Sequence, residues 1–78
     1  MPTMFNEAGF RFFFYSNEGF ESCHVHVIGH DGEAKFWIPS CVLAWSYNLN
    51  AGQLRRVYNI INANRSKIEE AWNEHFNS

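Results

Sequence analysis

Three of the four histidines in this chain lie within seven positions, at His24, His26 and His30. Alternate residues of a β-strand share one face, so the HxH pair is expected to hold two imidazoles side by side. A catalytic zinc needs three protein ligands and a structural zinc needs four, so two imidazoles are a start. His30 is the first candidate for the next ligand, with Asp31 or Glu33 as other options. The pattern therefore admits a divalent-metal site, although its spacing matches no established zinc motif.

The same residues could also carry acid–base chemistry without a metal. Cleavage of RNA through the 2′-hydroxyl can use a histidine as general acid or base and a cation that stabilises the developing charge. His24 or His26 with Lys35 or Arg11 would supply these groups, and Tyr15 and Trp37 could stack against bases. A metal-independent ribonuclease with His24, His26 and Lys35 as catalytic residues is therefore a second hypothesis.

Turn signals divide the first half of the chain into short segments of β-type composition. We predict strands at about 2–5, 10–16, 23–29 and 33–38, with 41–47 as a further strand or an extended connection. The Asp31-Gly32 pair is the strongest hairpin signal in the chain. If these two residues form the loop, His30 pairs with Glu33 and His26 with Trp37, whereas a three-residue loop would shift this register by one.

From Asn50 onwards the apolar period changes from two to about 3.6. Asn50 is a suitable N-cap, Gln53 its capping-box partner, and Leu49 can pack on Leu54 as a hydrophobic staple. One apolar stripe then continues to the end of the chain, through Leu54, Val57, Ile61, Ile68, Trp72 and Phe76. We predict one long helix over 51–76, with a break near 62–66 as the alternative because asparagine and serine are poor helix formers there.

The sheet should have one face against the helix and one face away from it. Val25 and Val27 are the natural core pair, which sends His24 and His26 to the outer face. By the same alternation the outer face holds Arg11, Phe13, Tyr15, His24, His26, Lys35 and Trp37. This face is too apolar for an ordinary solvated sheet, and a helix of this length would overhang at Trp72 and Phe76. Both features predict a partner-binding surface, formed by Arg11, Phe13, Tyr15, Trp37, Trp72 and Phe76.

Composition limits the remaining possibilities. The 78 residues, 46% hydrophobic and 18% aromatic, predict a single α+β domain over 1–78, with an antiparallel sheet of four or five strands and the helix on one face. A net charge of -2 argues against strong sequence-independent DNA binding. No membrane span and no export signal is visible, so a cytoplasmic location is expected, with Cys23 and Cys41 reduced.

Several motifs in order resemble a known family: "MPTMF", "GFRFFFYSNEG", "HVHV", "GEAKFW" and "EEAW". Together they are similar to the small prokaryotic family called domain of unknown function 4160. The resemblance implies a compact cytoplasmic α+β protein without an established activity, often encoded beside another small protein in the manner of two-gene toxin–antitoxin modules. The chain departs from the family at Ser22 and Cys23, where prolines are common, and at Asn48, where glycine is common. Asn48 must then adopt any left-handed turn at that position, which asparagine tolerates.

Three functional hypotheses follow. We favour a protein-binding component of a two-gene, toxin–antitoxin-like module, whose partner is a second copy of the chain or the product of a neighbouring gene. The alternatives are the ribonuclease, which would make RNA a partner, and metal binding through His24, His26 and His30. No cofactor is expected beyond a possible divalent metal.

Overall fold

The computed structural model describes residues 3–76, which form a five-stranded antiparallel sheet followed by two helices. The elements are β1 (Thr3–Glu7), β2 (Phe10–Phe13), β3 (His24–Gly29), β4 (Gly32–Trp37), β5 (Val42–Tyr47), α1 (Ala51–Ala63) and α2 (Arg65–Phe76). The spatial order of the strands is their order in the chain, so β1 and β5 are the two edges. The α+β class is therefore confirmed, and the segment predicted at 41–47 is a strand. Pro2, in the strand predicted at 2–5, lies outside the described residues.

The hairpin between β3 and β4 turns one residue earlier than predicted. Gly29 pairs with Gly32, so the loop residues are His30 and Asp31 and not the Asp31-Gly32 pair. Both loop residues have positive φ, 51° and 64°, as a type I′ turn requires. Histidine and aspartate are among the residues that tolerate this conformation, so the turn forms without glycine inside it.

The predicted pairings across this hairpin are consequently wrong. His26 pairs with Lys35 and His24 pairs with Trp37, a shift of two residues from the predicted register. Because side chains alternate with a period of two, this shift leaves each of them on its predicted face.

Gly32, the glycine of the predicted Asp31-Gly32 loop, is needed for close packing and not for the turn. A Cβ on Gly32 would lie 2.5 Å from the carbonyl oxygen of Asn48 and 2.5 Å from the side chain of Leu49. Asn48 adopts the expected left-handed conformation, with φ of 55°, and its Nδ2 donates to the carbonyl of Asp31 at 2.8 Å. Gly32 therefore allows the segment before α1 to pack against the hairpin tip.

The start of α1 is as predicted. Asn50 Oδ1 accepts from the backbone N–H of Gln53 at 2.8 Å, and Gln53 Oε1 accepts from the backbone N–H of Asn50 at 2.9 Å. This reciprocal pair is a capping box.

The single helix over 51–76 is wrong, because the helix is interrupted at Asn64. Its backbone has φ of -115° and ψ of 17°, and its Nδ2 donates to the carbonyl of Ile60 at 2.8 Å. A side-chain amide that bonds the backbone in this way offers it an alternative to the continuing helix, which is why asparagine is unfavourable in helix interiors. The break falls inside the segment 62–66 that was the alternative, and α2 begins at the next residue.

The core lies between the inner face of the sheet and the helices. Val25 and Val27 are fully buried there, as the strand alternation predicts. The other buried members of this cluster are Phe10, Phe12, Ala34, Phe36, Ile38, Cys41, Val57, Ile60, Ile61 and Ile68. Cys23 and Cys41 are free thiols. Neither helix is long and apolar enough to cross a membrane within the part of the chain that is described.

The helix end does not overhang. Trp72 is buried and packs on Phe14, with ring centroids 5.4 Å apart, and Phe76 packs on both residues at 4.3 and 5.2 Å. The prediction that Trp72 and Phe76 need an external partner is therefore wrong for Trp72 and weakened for Phe76, which is half-buried. The chain covers its own helix end because Phe14, the residue after β2, packs on Trp72 and Phe76 of α2.

Candidate functional site

The connection between β2 and β3, residues 14–23, crosses over part of the outer sheet face. Two successive turns shape it: the Glu18 N–H donates to the Tyr15 carbonyl at 3.1 Å, and the Glu21 N–H donates to the Glu18 carbonyl at 3.0 Å. The carboxylates of Glu18 and Glu21 contact buried polar side chains of β3 and β4. We call residues 14–23 the covering loop.

Four residues beneath the covering loop are buried, and we call them the covered half of the outer face: Phe13, His24, His26 and Lys35. His24 has no exposed surface. The expectation that these side chains form an exposed aromatic and basic surface is wrong, because alternation along strands cannot show what a loop does above them.

Glu18 joins the two histidines. Its Oε1 lies 2.8 Å from His24 Nε2 and 3.0 Å from His26 Nε2, while its Oε2 lies 3.2 Å from His26 Nε2. The same Oε1 also accepts from the Tyr15 N–H at 3.2 Å. On the far side of its ring, His24 Nδ1 lies 2.8 Å from the Ser22 carbonyl oxygen.

Aromatic rings enclose the histidine pair. Trp72 lies over His24, with centroids 4.7 Å apart, and Trp37 meets the same ring edge-on at 5.6 Å. Phe13 stacks on His26 at 5.5 Å and Tyr15 meets it edge-on at 4.8 Å. This wall excludes water and strengthens the electrostatic interactions inside it.

A second carboxylate neutralises the lysine of the covered half. Glu21 Oε1 lies 2.6 Å from Lys35 Nζ, which also lies 4.4 Å from the centroid of the Trp37 ring. The covering loop thus carries one carboxylate for the histidine pair and another for the lysine.

These contacts shift two pKa values. Burial alone would raise the pKa of Glu18, but hydrogen bonds from His24, from the Tyr15 N–H and from His26 lower it below its usual value of 4.5. Burial lowers the pKa of His26 below 6.5, assisted by the charge of Lys35, although Glu18 opposes this shift. Both shifts favour a charged carboxylate beside a neutral imidazole at His26.

The predicted metal-ligand set is only partly assembled. His24 and His26 are adjacent, with ring centroids 5.2 Å apart, but His30 lies in the β3–β4 turn, where its Nε2 is 3.2 Å from the Ala8 carbonyl. Glu18 takes the third place, and its ligand atom and those of the two histidines lie within 4.8 Å of one another.

Glu18 could not be identified from strand alternation, because it lies in a turn, where no periodicity indicates the direction of a side chain. A signal was present, since two acids three residues apart, Glu18 and Glu21, precede a strand with two histidines. Polar groups on a buried face need charged or hydrogen-bonding partners, and a neighbouring acidic loop is a ready source.

The geometry does not favour the ribonuclease hypothesis. An RNA phosphate would need to reach His24, His26 and Lys35, all of which are buried. Lys35 is bound to Glu21 and both imidazoles face Glu18, so substrate would have to displace two carboxylates.

Four further apolar side chains of the outer face are exposed, and we call them the open half: Ile28, Val42, Trp45 and Tyr47. Ile28 pairs with Glu33, which pairs with Tyr47, so these residues form a row across three strands. Of the predicted surface residues outside the covered half, Tyr15 is exposed at its margin, while Arg11 and Trp37 are half-buried.

A family model matches residues 9–73 of the chain, and it is described as Domain of unknown function (DUF4160). No curated protein and no solved structure matches the chain. The matched range includes the covering loop, the histidine strand and β5, and it agrees with the motif resemblance. The chain therefore belongs to the family described as Domain of unknown function (DUF4160).

Proposed function

We propose that the protein is the protein-binding component of a two-gene, toxin–antitoxin-like module, and that its partner docks along β5. The observation that carries this proposal is an edge strand with exposed apolar side chains on both faces. The gene arrangement is what the family resemblance implies, and β5 is the surface that suits such a partner.

The backbone of β5 offers a template for another strand. In the described sheet β5 pairs only with β4, so alternate residues point their N–H and C=O groups away from the sheet. An extended segment of a second polypeptide can add to such an edge by main-chain hydrogen bonds.

The side chains of β5 supply apolar contact area. A bulge leaves Ala44 without a partner on β4, which places Val42 on the outer face with Trp45 and Tyr47, while Leu43 pairs with Phe36 on the inner face. Val42, Leu43, Trp45 and Tyr47 are all exposed, and Tyr47 keeps 71% of its surface. Tryptophan and tyrosine are enriched at binding hot spots.

The opposite edge lacks this character. β1 ends at a glutamate, Glu7, and has an irregular register between Thr3 and Phe5. Lys67 of α2 places its Nζ 4.8 Å from the centroid of the Phe5 ring. Charges and irregularity are the usual protections of an edge strand, whereas the six residues of β5 include no charge.

The test is co-expression of this chain with a tagged product of the neighbouring gene, followed by affinity capture and size-exclusion chromatography with light scattering. We expect a stable complex that Trp45→Lys and Tyr47→Lys each weaken at least about tenfold, since hot-spot truncation costs ~1.4 kcal/mol or more.

Tyr58→Lys is the matched control, because Tyr58 on α1 has the same 43% exposure as Trp45. It should leave the complex intact. A complex that tolerates both β5 variants would exclude β5 as the docking site. A homodimer broken by the β5 variants, without capture of the neighbouring product, would keep the surface but remove the two-gene role.

A further inference from the structure

We propose that Glu18, His24 and His26 form a binding site for one first-row divalent cation of the zinc type, which fastens the covering loop to β3. The proposal concerns the covered half of the outer face and does not rest on the function proposed for β5.

The first argument is the hydrogen-bonding requirement of His24. A carbonyl oxygen can only accept, so the 2.8 Å contact with the Ser22 carbonyl fixes the proton of His24 on Nδ1. In the neutral ring Nε2 then has only a lone pair, and this lone pair faces a carboxylate oxygen of Glu18 at 2.8 Å. Two acceptors at this distance need a proton, on the ring or on the carboxyl group, or a metal ion between them.

The arrangement at His24 also matches metal coordination. Metal-ligating histidines almost always donate their other ring N–H to a carboxylate or a backbone carbonyl, which fixes the tautomer and orients the ring. Ser22 supplies that carbonyl, and the Trp72 ring packs against the His24 ring with centroids 4.7 Å apart. The Nε2 lone pair is therefore oriented for a ligand on the Glu18 side.

The distances suit a small cation. Bonds of about 2.0–2.1 Å from a metal to nitrogen and oxygen place neighbouring ligand atoms roughly 3 Å apart. Glu18 Oε1 lies 2.8 and 3.0 Å from the Nε2 atoms of His24 and His26. The three ligand atoms lie within 4.8 Å of one another, so small rotations of the Glu18 side chain and of the two imidazole rings would seat an ion.

Charge in the cluster favours a cation over a wholly neutral pair of rings. Glu18 and Glu21 contribute two negative charges and Lys35 one positive charge, so the group carries a net charge of -1 when both imidazoles are neutral. A buried excess charge is unfavourable unless it is compensated. A bound cation supplies the compensation at the oxygen where both histidines meet.

The ligand types select the class of ion. Two imidazoles and one carboxylate suit zinc, nickel, cobalt or copper, whereas magnesium and calcium prefer oxygen ligands alone. Cys23 is not a member, because it packs against the core and burial, with Glu69 nearby, raises the pKa of its thiol to about 11.

The test is a calorimetric titration of untagged protein, stripped with EDTA, with ZnCl₂ alone. We expect one ion per chain and a melting temperature that rises with zinc concentration, because a ligand that binds only the folded state stabilises it. Glu18→Gln and His26→Gln should each weaken binding at least about tenfold, since loss of even an outer-shell partner costs that much.

His30→Asn and Cys23→Ser are the matched controls and should bind zinc like the wild type. Asparagine keeps the positive φ that position 30 requires. Far-UV circular dichroism in EDTA checks that each variant folds. Should a ligand variant not fold, wild-type protein with Co²⁺ decides, because coordination by two histidines gives visible d–d absorption and shifts the ring ¹⁵N resonances of both.

Three results would overturn the proposal: no saturable binding to the wild type, undiminished binding to Glu18→Gln, or loss of binding in either control. The first would assign the contact between His24 and Glu18 to a proton shared by the two groups. The last would place the ion at a surface histidine or thiol. Failure of partner capture by β5 would not affect any of these measurements.

Discussion

The covered and open halves of the outer sheet face come from the same alternation along the same strands, yet their environments are opposite. His26 and Ile28 are neighbours on that face of β3, but His26 is buried under Glu18 and Ile28 is exposed. The covered half consists mainly of polar or ionisable groups, whereas the open half is apolar. Histidines and a lysine thus lie where water is excluded, and a tryptophan and a tyrosine lie where it is not.

Charge pairing joins the covering loop to the half of the face that it covers. The covering loop contributes Glu18 and Glu21 to three polar partners on the sheet. These partners would be costly to bury alone, and the loop compensates them. The open half offers no group that would hold such a loop, and its apolar surface stays available.

The largest expected effect is a difference in stability between two phenylalanine variants. Phe13 belongs to the covered half, and Phe20 lies on the surface of the covering loop. Phe13→Ala should lower the free energy of unfolding by about 3–5 kcal/mol, because Phe13 is buried against His26 and Tyr15. Phe20→Ala should change it by less than ~0.5 kcal/mol, because Phe20 is 83% exposed. Urea denaturation followed by fluorescence measures both, and equal effects would mean that the loop does not cover the sheet in solution.

The next effect compares a glutamate of the covering loop, Glu21, with a glutamate of β4, Glu33. Glu21→Gln should lower the free energy of unfolding by roughly 1–2 kcal/mol, because it leaves the buried Lys35 ammonium without its partner; the partial exposure of Glu21 reduces the cost. Glu33→Gln, on the same outer face, should cost less than ~0.5 kcal/mol. In a double-mutant cycle, Lys35→Met should recover most of the Glu21→Gln loss. Additive losses would show that the ion pair does not couple the loop to the sheet.

A smaller effect is a pH dependence confined to the covered half. In protein kept free of metal with EDTA, stability should fall as the pH decreases through 6.5, because the unfolded chain then takes up a proton that folded His26, with its lowered pKa, resists. It should fall further below pH 4.5, since the pKa of Glu18 is lowered in the folded state and its carboxylate contribution is lost as that pKa is crossed.

Urea midpoints measured across this pH range test both steps. Glu18→Gln should remove the decrease below pH 4.5, whereas Glu33→Gln should follow the wild-type profile. A wild-type midpoint that does not change between pH 7 and 5 would contradict the burial of a neutral His26.

The smallest effect on stability belongs to the open half. Tyr47→Lys should change the free energy of unfolding by less than ~0.5 kcal/mol, because Tyr47 is largely exposed and lies on an edge strand. The same substitution should weaken partner capture at least about tenfold if β5 is the docking edge. A large loss of stability would show instead that Tyr47 packs within the domain.

Local features of the fold were predictable from the sequence. Asn50 and Gln53 indicate the start of α1 because a capping box is formed by residues three apart. Val25 and Val27 indicate the inner face because strand alternation is a local rule. The helix break could be predicted only as an alternative to one long helix. Asn64 interrupts the helix because its side-chain amide finds a backbone acceptor, and the sequence alone does not show which acceptor is in reach.

The candidate site was only half predictable, because its third member comes from a loop without periodicity. His24 and His26 share a strand, so their proximity follows from the sequence. His30 is the candidate nearest in sequence, but a step of four residues from His26 corresponds to about 13 Å along an extended strand. Glu18 is brought over the sheet by contacts that exist only after the strands have paired.

The strand order has a consequence for how the chain folds during synthesis. Each strand pairs with the one made just before it, so no contact within the sheet waits for a later segment, and such local topologies fold quickly. Glu18, His24 and His26 emerge within nine residues and can meet as soon as the first hairpins exist. Within residues 3–76, β5 is the last strand in chain order and pairs only with β4. A second polypeptide can therefore add to the outer edge of β5 without displacing any strand of the described sheet.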